Sequence, residues 1–152
     1  MAGDATFIAA IVGALQADTG AGSLVQLTGH TLKDLRILRQ APPKAGQLPF
    51  LAVSVPVSVP LIKDQPFVKR YTVVISALCG QEALAIRIAD RVEQLVNPQN
   101  QASNAYFDFS SAEVKVYSTL WKRRIRSEYD EDLDSYKDQN IIEIVANPFI
   151  GC

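Results

Sequence analysis

The stretch from Ala112 to Ala146 constrains this chain more than any other. It opens with a strand-like run, AEVKVYSTLW, and passes without a break into the basic cluster KRRIR (Lys122–Arg126). It changes sign in SEYDEDLDSYKD (Ser127–Asp138) and closes with IIEIVA. In the first run Ala112, Val114, Val116, Ser118 and Leu120 alternate with Glu113, Lys115, Tyr117, Thr119 and Trp121. That period of two places one set on each face of a half-buried strand. The closing run is shorter and more apolar, as a central strand is. The expectation is a long β-hairpin arm with a charged tip between two strands.

The charges of that tip are segregated. Lys122, Arg123, Arg124 and Arg126 come first, then Glu128, Asp130, Glu131, Asp132 and Asp134. Two readings stay open. The tip is a solvated hairpin end, or it pairs identical chains head to tail, each basic block meeting a neighbour's acidic block; such a contact closes into a ring if the rotation permits. Exposed ion pairs contribute about 0–1 kcal/mol each, so charge would set partner and register more than affinity. These nine residues, with Trp121 as an aromatic anchor, are the candidate subunit or partner contacts.

At 152 residues the chain is expected to form one domain, spanning residues 1–152. Fifteen Lys and Arg against sixteen Asp and Glu leave a net charge of −1. That excludes a nucleic-acid binder driven by overall charge, and a near-neutral surface does little to resist self-association. Two cysteines, Cys79 and Cys152, make neither a disulfide framework nor a metal site. They are expected as a buried thiol and a free terminal one. No apolar stretch reaches membrane-spanning length. The start, MAGDATF, lacks the basic and long apolar parts of a signal peptide, so a soluble chain made in the cytoplasm is expected.

Upstream of the arm the pattern is readable element by element. Asp4 or Thr6 caps a first helix, with Phe7, Ile8, Ile11, Val12 and Leu15 on one face. Asp18–Gly22 stops it; the Gly20-x-Gly22 pair follows no strand and lacks the rest of a phosphate loop. Ser23–Gly29 suits one short helical turn, and Leu35–Gln40 a short strand. His30, the only histidine, reads as a capping or surface residue. Ala41–Pro49 is a loop by composition. In Phe50–Val59 the odd positions Leu51, Val53, Val55, Val57 and Val59 are expected to share one buried face. Pro56 puts that strand at a sheet edge, open to a neighbour's strand, or interrupts it. Phe67–Leu78 is the clearest strand and Gln81–Val96 the clearest helix, ended by Asn97-Pro98. Asn97–Asn104 is a polar loop, and Tyr106–Phe109 a short aromatic strand. With no regular alternation of strand and helix, a doubly wound sheet is excluded. The expected class is α+β: a mainly antiparallel β-sheet with two amphipathic helices packed on one face, plus the long charged arm.

No catalytic signature is present: no Gly-x-Ser-x-Gly, phosphate loop, paired-histidine motif or Cys-His pair. The acidic block lacks the spaced ligands of a calcium loop, so no metal and no cofactor are expected. That block also follows the basic cluster at once and would repel the phosphates of a nucleic acid.

Taken together, the N-terminal amphipathic helix, the turn Leu24–Leu27, the proline-rich loop ending in Pro49-Phe50 before LAVSV, the strand Tyr71–Leu78 leading to a helix with Ala89-Asp90, and the closing IIEIV form a familiar layout. Over nearly its whole length the chain resembles the tail-terminator (tail-completion, minor tail) proteins of long-tailed bacteriophages. The resemblance implies a structural virion protein assembled in the bacterial host cytoplasm and located at the head-proximal end of the tail. It implies a homo-oligomeric ring, a hexamer, that caps the tail tube, ends polymerisation and offers a docking face to the head-completion or connector protein. Sheets would line the ring and DNA would pass through its lumen without sequence recognition. Glu128–Asp134 would line that lumen or contact a subunit. Rival readings are another head–tail joining or tube-associated protein, a small enzyme whose interface site draws on Glu82, Asp90 or the acidic block, and a nucleic-acid module using Lys122–Arg126.

Overall fold

A computed structural model describes residues 2–39, 48–62, 65–97, 107–132 and 134–150. Helix α1 (Ala2–Gln16) places Phe7, Ile11 and Leu15 one turn apart, and all three are fully buried. A turn with Gly20 and Gly22 at positive φ separates it from a single helical turn, α2 (Leu24–Thr28). Ser23 caps α2 by accepting from the Gln26 amide at 3.2 Å, and Gly29 ends it in the left-handed conformation. Strand β1 is only Ile37–Leu38, shorter than the expected Leu35–Gln40. Then come β2 (Phe50–Ile62) and β3 (Gln65–Cys79), helix α3 (Glu82–Val96), and the arm, β4 (Lys115–Asp130) and β5 (Ser135–Asn147). Of the expected loops Ala41–Pro49 and Asn97–Asn104, residues 41–47 and 98–104 lie outside the described residues, as do Tyr106 and Cys152. Phe107–Phe109 is not a strand; Phe109 instead packs its ring 5.8 Å from Phe7.

Among the described residues five strands form one sheet in the order β1-β2-β3-β5-β4, antiparallel except for the short parallel β1–β2 pair. The α+β class expected from the sequence is the class observed. Directly opposed residues share a sheet face, so the register sorts the two faces. Tyr71, Val73, Ile75 and Ala77 of β3 oppose Ile144, Ile142, Asn140 and Asp138 of β5, and all eight are buried under the helices. Phe7 of α1 stacks flat on Tyr71 with centroids 3.8 Å apart. Ile88, Val92 and Val96 of α3 close the same core. Each fully buried side chain of this size contributes about 1.5–3 kcal/mol of burial free energy.

Among the described residues the other face carries no helix, and the register corrects two expectations about it. In β2 an extra residue between Ser54 and Val57, at the Val55-Pro56 pair, shifts the pairing by one. A one-residue shift sends every later side chain to the opposite face. Leu51 and Val53 therefore point to the helices, whereas Val57 and Val59 oppose Thr72 and Arg70 on the open face, 48% and 43% exposed. The valines do not share one buried face. In β4 three such shifts occur. Val116, Thr119 and Trp121 oppose inward residues of β5, and Ser118 and Leu120 oppose outward ones. The simple alternation expected for this run is broken at each bulge.

Candidate assembly surface

The basic cluster is not at a hairpin tip. Lys122–Arg126 lies inside β4, and the ladder continues through Glu128, Tyr129 and Asp130, so the turn begins only at Glu131. This separates residues that looked equivalent in sequence.

Arg124 turns inward. It opposes Asn140, whose neighbours on that face are the buried core residues of β5. Its Nε donates to Asp138 Oδ1 at 2.8 Å and its Nη2 to Asp138 Oδ2 at 2.9 Å, a two-pronged pair. Nη2 also donates to the Ile86 carbonyl at 3.1 Å, and Nη1 bonds Asp90 and lies 3.8 Å from Glu93. The Arg124 side chain is 5% exposed and that of Asp138 0%. Its hydrogen bonds to Asp138, then that to Asp90, hold the guanidinium more firmly charged than usual, against the opposing effect of burial. Arg124 was expected to be an exposed contact; it is an internal clamp between β4, β5 and α3. The reason is the set of carboxylates that the fold brings to it, from 14 and 34 residues away.

Trp121 is likewise used internally. Its indole Nε1 donates to Asn140 Oδ1 at 2.9 Å, and Asn140 Nδ2 donates to the Ala89 carbonyl of α3 at 3.0 Å. The ring packs against the core. Asp138 and Asn140 are buried polar residues that the sequence reading passed over. The signal was present: two polar side chains, at i and i+2, on the inward phase of an otherwise apolar strand, each of which requires a partner.

What remains outside is divided between two places. On the open sheet face Lys122 and Arg123 are exposed. Glu143, on the same face, forms ion pairs with Arg70, whose Nε lies 3.3 Å away, and with Lys122, whose Nζ lies 3.8 Å away. Arg126 is exposed further along β4. At the β4–β5 turn Glu131, Asp132 and Asp134 are exposed and Asp130 is partly so. The turn is organised: Asp130 Oδ1 accepts from the Asp132 amide at 2.9 Å, and the Tyr129 hydroxyl donates to Asp134. Asp134 adopts φ +48°, which aspartate tolerates. Glu128 pairs with Lys137 in the ladder. The basic and acidic blocks are therefore not two halves of one tip.

Elsewhere the polar groups serve the fold. His30 Nδ1 accepts from the amides of Arg36 (2.8 Å) and Ile37 (3.1 Å), so it caps the loop before β1. Burial pushes its imidazole below the ordinary value, partly offset by Asp34. Asp18 pairs with Arg91 at 2.7 Å and accepts from the Leu24 amide, tying α2 to α3. Asp4 accepts from the Tyr71 hydroxyl at 2.9 Å and pairs with Lys69 at 3.1 Å, tying α1 to β3. Cys79 is buried. Among the described residues no group of three or more His, Cys, Asp or Glu is placed to hold a metal ion, and no helix is long and apolar enough to cross a membrane.

No family model matches the chain, and no curated protein matches it. Among solved structures, a chain in the virion of a native gene transfer agent particle is similar to it, with a TM-score of 0.62 and 17% identity, over 96% of this chain and 98% of that one. At that identity the likeness is one of fold, and it runs end to end.

Proposed function

We propose that this chain is a structural, non-enzymatic virion protein that acts as a tail terminator. Copies form a closed ring, a hexamer, on the end of the tail tube; the ring ends tube growth and presents a docking face to the head connector, with DNA passing through its lumen without sequence recognition. The observation that carries this reading is the end-to-end correspondence in fold with a chain from a gene transfer agent virion, 96% of one chain on 98% of the other. The internal chemistry agrees. The buried charged and polar groups Arg124, Asp138 and Asn140 are occupied in holding the arm to α3, and the exposed charges stand where another protein can meet them.

The test is light scattering on the purified protein across concentration and salt, with negative-stain images, followed by a tube-capping assay. Closed rings and a block of tube growth at one end are the expected result. A protein that leaves tube growth unchanged while binding the connector would replace this reading with that of a head–tail joining protein.

A further inference from the structure

We propose that the acidic β4–β5 turn of one copy seats on the open sheet face of a second copy, around Arg70, Lys122 and Arg123. The contact deepens the self-assembly part of the proposed function and rests on it.

The open face supplies the seat. In one row across the sheet Val57, Thr72, Glu143 and Leu120 oppose one another, and in the next Val59, Arg70, Val145 and Ser118 do. Val57, Val59 and Leu120 are each between 43% and 50% exposed. Arg70 and Lys122 share the single carboxylate of Glu143, and Arg123 stands exposed in the adjoining row, opposite Ile141. The patch thus combines apolar area with an excess of positive charge. The turn has the complementary character. Asp130, Glu131, Asp132 and Asp134 sit within five residues, beside Tyr129, which is 48% exposed and braced against the Tyr136 ring at 5.3 Å.

The two cannot meet within one molecule. The turn adjoins Ser135, and Glu143 lies eight residues further along β5, a distance of about 26 Å in extended chain. The contact is therefore between copies. Because it joins two different patches, it is head-to-tail, and it closes a ring where the rotation from copy to copy permits. The sheet edges are poorer candidates. β2 carries Pro56, Pro60 and a bulge, and β4 carries three register shifts; prolines and bulges blunt an edge against an added strand.

Two charge-reversed proteins test this: a face variant, R70E with K122E and R123E, and a turn variant, E131K with D132K. Circular dichroism confirms that each is folded, and the turn variant, which changes only exposed residues of a turn, gives an independent reading if the face variant is unstable. Self-association is measured by sedimentation and light scattering at low and raised salt. The wild type is expected to associate more weakly as salt rises, each variant alone about tenfold more weakly than the wild type, and an equimolar mixture of the two to associate more tightly than either variant alone, since the face variant's acidic turn then meets the turn variant's basic face. Variants that associate as the wild type does, a mixture that associates no more tightly than either variant alone, or a wild type that stays monomeric at low salt would each overturn the contact. So would a face variant that loses duplex-DNA binding with its self-association unchanged, because the cations would then serve a polyanion. Rings that persist in both variants remove this contact and leave the terminator reading in place; a wild type that does not cap tubes removes that reading whatever the variants do.

Discussion

Arg124 in β4 and Asp138 in β5 face each other beneath α3 in a two-pronged ion pair, with donor–acceptor distances of 2.8 and 2.9 Å and side chains 5% and 0% exposed. Removing one partner of a buried pair strands the other charge, at a cost of about 3–5 kcal/mol. Arg124→Ala is expected to destabilise the domain by that order, measured as a lower urea midpoint. Arg124→Lys keeps the charge but loses the planar fork and falls between. Replacing both residues with apolar ones of similar size costs less than either single change.

Val73 and Val59 provide a direct check on the bulge in β2. Val73 is fully buried on the helix face, so Val73→Asp buries an unpaired charge and is expected to leave the chain unfolded. Val59 would share that fate if the valines of β2 kept one phase. Because the bulge turns it outward, 43% exposed, Val59→Asp is expected to shift stability by no more than about 0.5 kcal/mol. Thermal unfolding of the two variants distinguishes the registers.

The only tryptophan reports on the arm. Asn140 receives the Trp121 indole hydrogen and passes one of its own to Ala89 of α3. Asn140→Ala orphans the indole donor and opens a small void beside it. A loss of about 1–3 kcal/mol is expected, with a red shift of the tryptophan emission as water reaches the ring.

Two tethers set the pH limits of stability, with opposite signs. Burial, then the Asp4 hydrogen bond and charge, raise the Tyr71 phenol well above its ordinary value near 10. The unfolded chain thus releases that proton before the folded one does. This contribution is complete below about pH 10 and is lost as pH rises beyond it. Tyr71→Phe should flatten that alkaline decline, read from urea midpoints between about pH 9 and pH 11. Asp18 behaves in the reverse sense. Burial alone would raise its carboxyl, but the hydrogen bonds from Arg91 and the Leu24 amide and the Arg91 charge bring it below the ordinary value. Its contribution is present above about pH 4 and is lost as pH falls through the lowered value. Asp18→Asn should remove that part of the acid limb.

Local pattern determined a good deal of this protein. The helical face of Phe7, Ile11 and Leu15, the strand Phe67–Leu78 and the one-sided helix beginning near Gln81 were readable because each is a periodicity within a single element, set by backbone geometry. One-sided helices beside alternating strands also required the helices to lie on a sheet rather than pass through a core. Even the candidate residues of the arm were readable as a group, since charge is visible in the sequence. Their separation was not. Only the tertiary structure decided that Arg124 turns inward, because its burial depends on Asp138 and Asp90 arriving from other elements. Only the pairing decided that Val57 and Val59 face outward: Pro56 marks where the strand is interrupted, but that the interruption is one extra residue, which reverses every side chain after it, is set by the partner strand. The placement of β5 between β3 and β4, which puts the acidic turn at one end of the sheet and the cations on its open face, is likewise a property of partners and not of any one segment.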